Sequence, residues 1–149
     1  MLGRVIFAFL VLPGMVAFAI PVALAGWASP FPSNHMIGLV PLSLGLLVLL
    51  RCVREFYVAG SGTLAPWAPP KQLVVTGPYR YCRNPMYVGV ALILLGWAAL
   101  YWSRSLLIYA GCMVVAFHLR VVLAEEPWAA ETFGDAWNSY RRRTPRWLL

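Results

Sequence analysis

The sequence has little charge and few side chains that bind metals or act as nucleophiles. Only 11% of its 149 residues are charged and 61% are hydrophobic, whereas soluble domains typically carry about 25% charged residues. An ordinary water-soluble domain is therefore excluded. The chain has two histidines and three cysteines, Cys52, Cys82 and Cys112, with no CxxC pair. A zinc site needs about four clustered ligands, and an odd cysteine count does not suit a disulfide framework, so we expect neither.

Four long apolar runs are present instead, over residues of about 5–28, 36–53, 85–102 and 106–123. Each is close to the roughly 20 residues that cross about 30 Å of hydrocarbon. We therefore predict an all-α integral membrane protein with about four transmembrane helices, in a single domain over residues 1–149. The first run also resembles a secretory signal peptide, with Arg4 before it and small residues near Ala25. It is, however, longer than the usual apolar run of about 7–15 residues.

The basic residues predict how the chain is oriented. Most of the arginines and lysines lie in the predicted loop 54–84 and the predicted tail 124–149, and residues 26–35 contain none. Only Arg104 lies between the third and fourth runs. Because cytoplasmic loops of membrane proteins are enriched in lysine and arginine, we expect a multi-pass protein of the inner or cell membrane. Both termini, the loop and the tail would then be cytoplasmic.

A first group of polar and aromatic residues lies where the loop meets the third apolar run. Gly77-Pro78 predicts a turn, and Pro85 suits the first turn of a helix. We expect Asn84 to cap that helix by accepting a hydrogen bond from a free backbone N–H. Arginines and tyrosines gather around this helix start. Such a cluster is also typical of a membrane-interface belt, so its composition alone does not assign it to ligand binding.

A second group begins at the end of the fourth run with the adjacent carboxylates Glu125 and Glu126. They are either a solvated helix end or part of a site. Pro127 is predicted to start a further helix, amphipathic and cytoplasmic, that can lie on the membrane or cap a pocket. Its polar face would carry Glu131, Asp135, Asn138 and Arg142, and its apolar face Ala129, Phe133, Ala136, Trp137 and Tyr140.

His118 lies inside the fourth run, seven residues before Glu125. Two turns of a regular helix would place both side chains on one face. Ionisable groups within a membrane usually face a bundle interior or a cavity. The alternative is a neutral histidine that is hydrogen-bonded to a neighbouring helix.

Taken together, the two groups resemble the isoprenylcysteine carboxyl methyltransferase family and the related phospholipid N-methyltransferases. The resemblance covers about the C-terminal half, from Lys71 to Trp147. It rests on residues 73–79 (LVVTGPY), residues 83–89 (RNPMYVG), Glu125-Glu126, Phe133-Gly134, Tyr140 and Pro145-Arg146.

This resemblance implies an enzyme that uses S-adenosylmethionine to methylate a lipophilic acceptor at the cytoplasmic membrane face. The expected partners are a lipophilic small molecule or lipidated substrate and membrane lipids, with no nucleic acid and no metal. The tail helix would cover the pocket from the cytosol. The implied catalytic residues are Arg83, Arg120 and Glu125. The implied cofactor-binding residues are Gln72, Leu73, Val74, Tyr79, Asn84, Pro85, Met86, Tyr87, Glu125 and Glu126.

Several positions depart from the family pattern. Asn84 stands where the family usually has histidine, and Pro127-Trp128 follows the carboxylate pair where the family continues with ordinary helix formers. In the prenylcysteine enzymes an arginine precedes the key glutamate by four residues. Val121 occupies that position here, and Arg120 is its neighbour. The Gly-x-Gly described for the phospholipid enzymes is also absent.

The acceptor stays open at this stage. A carboxylate acceptor is already ionised and needs no base, whereas an amine must first lose a proton, for which Glu125, Glu126 and His118 are the candidates. Phospholipid N-methylation and small-thiol methylation are the alternatives within methyl transfer. A membrane reductase and a non-enzymatic membrane subunit are the alternatives of other classes.

Overall fold

The computed structural model describes residues 10–26, 36–59 and 71–148, with side chains from Pro13 onward in the first range. Within these ranges the chain is all-helical and contains no strand, which confirms the predicted class there. Helix α1 is a π-helical stretch, Leu10–Ala19, followed by the α-helix Ile20–Ala25. The later elements are a 3-10 turn Met36–Gly38, α2 Leu39–Val58, a 3-10 turn Gly77–Arg80, α3 Pro85–Tyr101, α4 Arg104–Arg120, a π-helical segment Val121–Glu125 and α5 Glu126–Arg143.

Two helices are long and apolar enough to cross a membrane, Met36–Val58 and Arg104–Arg143. Two further apolar helices, Pro13–Ala25 and Pro85–Tyr101, are shorter. The number of four spans therefore stays a prediction. The start of the first predicted span, the segment between the first two spans and residues 60–70 of the predicted loop lie outside the described residues.

Helix α3 lies at the centre of the molecule. Its Ile93 and Leu94 are fully buried and pack with Leu49 of α2, Ala17 of α1 and Ala110 of α4. Helices α2 and α4, in contrast, expose large apolar side chains, and extensive apolar surface of this kind marks contact with a membrane or a partner. These exposed residues include Val40, Leu44, Leu47 and Leu50 on α2, Met36 and Ile37 in the turn before it, and Leu107, Ile108, Val114, Val115 and Leu119 on α4.

Glycines allow α2 and α3 to approach until their backbones touch. A Cβ atom on Gly45 would lie 2.5 Å from the carbonyl oxygen of Gly89, and one on Gly96 would lie 2.6 Å from Cβ of Leu42. Small residues at such positions are the usual way for membrane helices to pack closely. The α2–α3 pair is therefore tightly packed and supports the residues at the start of α3.

Pro21 follows two backbone carbonyl groups of α1 that accept hydrogen bonds from side chains of other helices. It has no N–H to donate to the carbonyls of Val16 and Ala17, which lie five and four residues before it. Trp97 Nε1 donates to the Ala17 oxygen at 2.9 Å, and the Tyr109 hydroxyl donates to the Val16 oxygen at 3.1 Å. Side chains from α3 and α4 thus bond to carbonyls near Pro21, and they attach α1 to the core.

The tail helix α5 does not start afresh at Pro127, as the sequence suggested. Helical structure continues without a break from Arg104 to Arg143, because the π-helical segment accommodates the proline. Gly134 then interrupts α5 with φ 50° and ψ −119°. The polar and apolar faces that were predicted for a regular helix therefore do not continue across Gly134. Trp137 is buried as expected, but Ala136 is exposed. The amphipathic character of this helix stays a prediction.

Candidate functional site

The residues before α3 form a buried support under the start of that helix. Val74 and Tyr79 are buried against Cys52 of α2, and the Tyr79 ring packs on Phe56 with centroids 5.5 Å apart. The Tyr79 backbone carbonyl accepts a hydrogen bond from the Tyr140 hydroxyl at 2.7 Å, which links this loop to α5. Burial raises the pKa of the Tyr79 phenol well above its ordinary value of 10.0, so the phenol stays neutral.

Glu55, which was not predicted as a site residue, holds the turn before Tyr79. Its Oε2 accepts a hydrogen bond from Thr76 Oγ1 at 2.6 Å. Gly77 has φ +57°, and a Cβ atom there would lie 2.7 Å from Cγ of Glu55. Glycine is therefore required at this position both for its backbone conformation and for the space that Glu55 fills.

An ion-pair cluster joins the start of α3, the start of α5 and the end of the chain. Glu126 accepts hydrogen bonds from Arg83 Nη1 at 2.8 Å and from Arg146 Nε and Nη2, each at 2.8 Å. The Arg83 guanidinium carbon also lies 5.5 Å from the centre of the Trp137 ring. Burial lowers the pKa of Arg83, an effect that the charge of Glu126 opposes. Arg83 and Glu126, both predicted as site residues, are thus engaged with each other.

Asn84 is at the N-cap position of α3, as predicted, but its side chain does not cap the helix. The amide Nδ2 instead donates to the backbone carbonyl of Arg146 at 3.1 Å. The neighbouring Arg83 N–H donates to the Pro145 carbonyl at 2.9 Å. The end of the chain therefore runs beside residues 83–84, and its carbonyl groups draw the Asn84 amide away from the helix start.

A cavity of about 260 Å³ lies between α1, α3 and α4. Its walls are mostly apolar, and its one polar end is formed by Tyr87, Arg120 and Glu125. The Tyr87 hydroxyl donates to Glu125 Oε1, and Arg120 Nε donates to the same oxygen at 2.9 Å. The Tyr87 ring stacks on Phe117 with centroids 4.7 Å apart. Among the described residues the lining consists of Pro13, Val16, Met86, Tyr87, Val90, Met113, Ala116, Phe117, Arg120 and Glu125.

Four of the predicted site residues therefore lie around one cavity, namely Met86, Tyr87, Arg120 and Glu125. The remaining predicted site residues do not line it: Gln72, Leu73, Val74, Tyr79, Arg83, Asn84, Pro85 and Glu126. The apolar lining residues of α1 and α4 were missed. They could not be predicted from the sequence, because their positions around the cavity depend on how three helices pack together.

The structure also places His118 away from this cavity. His118 is exposed on α4, and its Nδ1 accepts a hydrogen bond from Trp147 Nε1 at 3.3 Å. The π-helical segment changes the register between His118 and Glu125, so a count based on regular turns does not apply. Within the described parts of the chain, no group of three or more His, Cys, Asp or Glu side chains could hold a metal ion.

Comparisons with known proteins identify the family of this chain. A family model described as phospholipid methyltransferase matches residues 33–136. The chain belongs to the phospholipid methyltransferase family. This confirms the resemblance seen in the sequence, and together with the two long apolar helices it identifies a membrane protein. No solved structure matches the chain.

Three relatives show how broad this likeness is. The chain is 29% identical over 119 residues to the cobalt-zinc-cadmium resistance protein CzcN of Cupriavidus metallidurans, which covers 80% of this chain and 50% of that protein. It is 28% identical over 114 residues to phosphatidylethanolamine N-methyltransferase of Homo sapiens, covering 76% and 57%. It is 30% identical over 73 residues to protein-S-isoprenylcysteine O-methyltransferase of Schizosaccharomyces pombe, covering 49% and 31%. The chain thus spans about half the length, or less, of these curated relatives.

Proposed function

We propose that this protein is a membrane methyltransferase that uses S-adenosylmethionine to methylate a lipophilic acceptor at the cytoplasmic face. The observation that supports this most is the position of Glu125. Its carboxylate lies at the polar end of an otherwise apolar cavity, in a family whose named members above include two methyltransferases. The proposal includes four membrane spans with both termini cytoplasmic.

The residues around Glu125 suit a cationic group that donates hydrogen bonds. One carboxylate oxygen, Oε1, is engaged by Tyr87 and Arg120. The other, Oε2, accepts no hydrogen bond from the described residues, and the side chain is 37% exposed. It can therefore accept a hydrogen bond from an amino or ribose hydroxyl group of the cofactor. The stacked rings of Tyr87 and Phe117 offer an aromatic surface on which a positive charge is stabilised.

When bound, the cofactor supplies a methyl group on a positively charged sulfur, which is itself the chemical drive of the reaction. In the net reaction the acceptor's lone pair forms the new bond to the methyl carbon, and the electrons of the broken carbon–sulfur bond stay on sulfur. The protein therefore needs no nucleophile of its own. Its residues have to orient the two reactants and exclude water. The apolar walls formed by Met86, Val90 and Met113 can do the latter.

Two acceptor classes are favoured by the relatives, an amine on a phospholipid and a carboxylate on a prenylated cysteine. An amine acceptor must lose a proton before it attacks, and Glu125 is the carboxylate at the cavity that could take it. A carboxylate acceptor needs no base. Both are consistent with an acceptor that enters from the hydrocarbon side, where the cavity is apolar.

The test is methyl transfer in membranes that contain the protein. Membranes are incubated with S-adenosylmethionine labelled in its methyl group and then separated into lipid, protein and volatile fractions. We expect label in one of these fractions, and we expect Glu125→Gln to abolish it. Glu131→Gln, a matched change at an exposed residue of α5, should leave it intact. Incorporation no greater than in membranes lacking the protein would refute the proposal.

A further inference from the structure

Arg120 and Glu125 are bonded although they lie five residues apart. In a regular α-helix, residues five apart are rotated by about 140° and point to different sides, and only residues three or four apart meet. Here the intervening segment, Val121–Glu125, is π-helical, and the Glu126 N–H bonds to the Val121 carbonyl five residues earlier. This wider turn reduces the rotation between residues five apart, and Arg120 Nε lies 2.9 Å from Glu125 Oε1.

The proline that follows accounts for this local geometry. Pro127 has no N–H, and in a regular helix its ring would clash with the carbonyl of Leu123, four residues earlier. A π-helical turn before the proline removes that conflict. The same arrangement occurs in α1, where the π-helical stretch Leu10–Ala19 ends two residues before Pro21. The register at Glu125 is therefore encoded locally, by the position of Pro127.

The consequence is that Glu125 is held from two helices through a single oxygen. Arg120 approaches Oε1 along its own helix, and Tyr87 approaches the same oxygen from α3. Val121, which a regular helix would place next to Glu125, is fully buried in the core instead. With Oε1 fixed, the rotation of the carboxylate is restricted, and Oε2 is left for a ligand.

We propose that the π-helical segment, Arg120 and Tyr87 together position Glu125, so that Arg120 acts through Glu125 and not by touching a ligand. This inference deepens the proposed function, since it concerns how the cofactor-facing carboxylate is oriented. The positioning of Glu125 by Arg120 and Tyr87 does not depend on which ligand binds. It can therefore be measured on the protein without any ligand.

The first measurement is a double-mutant cycle on thermal unfolding in detergent, with Arg120→Gln, Glu125→Gln and the double variant. We expect the double variant to lose less in Tm than the sum of the two single losses. The cycle is repeated in a variant that lacks Leu123 and carries Pro127→Ala. There a regular helix places Arg120 four residues before Glu125, so the coupling should persist. Losses that simply add in the wild-type background would overturn the proposal.

The second measurement is binding of S-adenosylhomocysteine by titration calorimetry. We expect Arg120→Gln and Tyr87→Phe each to weaken binding about tenfold, because a Glu125 carboxylate that is no longer held in place forms a weaker charge-assisted hydrogen bond with the ligand. Arg120→Lys should recover part of the loss. Pro127→Ala alone should weaken binding, and the Leu123 deletion with Pro127→Ala should bind as wild type does. If Arg120→Gln binds as wild type does, Arg120 does not position Glu125. If wild type itself does not bind, the proposed function fails, and the cycle alone decides the positioning.

Discussion

Arg146 donates two hydrogen bonds to the carboxylate of Glu126, from Nε to Oε1 and from Nη2 to Oε2, each 2.8 Å long. Arg83 adds a third bond from the start of α3. The Arg83 and Glu126 side chains are only 11% and 16% exposed. Removing one member of such a buried cluster leaves the opposite charge without compensation. The cluster thus connects the end of the chain to the start of α3, which carries Tyr87, and to the residue that follows Glu125.

We expect Glu126→Gln to destabilise the protein by about 2 kcal/mol, because two arginines lose a charged acceptor. Thermal unfolding in detergent measures this loss. The matched control is Glu131→Gln, at an exposed position of the same helix, which should change stability by less than about 0.5 kcal/mol. Equal melting temperatures for the two variants would show that the cluster does not stabilise the fold.

The same carboxylate predicts how stability depends on pH. Burial alone would raise the pKa of Glu126, but hydrogen bonds from Arg146 and the charge of Arg83 outweigh it and lower the pKa below its ordinary value of 4.5. A carboxyl whose pKa is lower in the folded state stabilises the protein above its unfolded pKa. This contribution is lost as the pH falls from 4.5 through the lower folded value.

We therefore expect the melting temperature of the wild type to fall more steeply below about pH 5 than that of Glu126→Gln. The two curves should differ most at neutral pH and converge as the acid limit is approached. Parallel curves over the whole acid range would contradict the link between Glu126 and its arginines.

The role of Asn84 can be tested by asking whether its side chain donates or accepts the hydrogen bond that matters for stability. If its side chain capped α3 as an acceptor, Asn84→Asp would preserve stability, since aspartate caps as well as asparagine. Because the amide donates to the Arg146 carbonyl, we expect Asn84→Asp and Asn84→Ala both to lose about 1 kcal/mol. Melting temperatures of the three proteins decide between the two roles. An unchanged Asn84→Asp variant would restore the capping interpretation.

The α2–α3 contact predicts opposite outcomes for two glycines. Gly45→Ala would bring a Cβ atom to 2.5 Å from the Gly89 oxygen, and overpacking against backbone costs about 1–3 kcal/mol. Gly111→Ala meets nothing within 4 Å, and alanine is favoured over glycine in a helix by about 1 kcal/mol. Thermal unfolding should therefore show a loss for Gly45→Ala and no loss for Gly111→Ala. Equal losses would mean that the helices do not cross at Gly45.

The membrane topology can be tested with reporter fusions. The distribution of arginine and lysine predicts that both termini are cytoplasmic. A fusion after Arg146 should therefore report the cytoplasm, and one within residues 29–35 should report the opposite side. A cleaved N-terminus or an external C-terminus would show that the four-span arrangement is wrong.

Sequence alone reached part of this site for clear physical reasons. Hydropathy finds apolar helices directly. The resemblance to the family implied Met86, Tyr87, Arg120 and Glu125, which adjoin helix ends with recognisable sequence motifs. The partners of Glu126 could not be found, since Arg83 and Arg146 are 43 and 20 residues away from it. The role of Asn84 was wrong because the carbonyl that its amide binds belongs to Arg146, at the far end of the chain.

The π-helical segment before Pro127 also affects how this chain is aligned with its relatives. The π-helical segment contains one residue more than a regular helix would need between the same two flanking turns. An alignment that counts residues back from Glu125 therefore pairs side chains that point in different directions. Aligned by helix register, a relative with a regular helix at this level has a one-residue gap opposite residues 121–125. In that alignment the counterpart of an arginine four residues before its glutamate is Arg120.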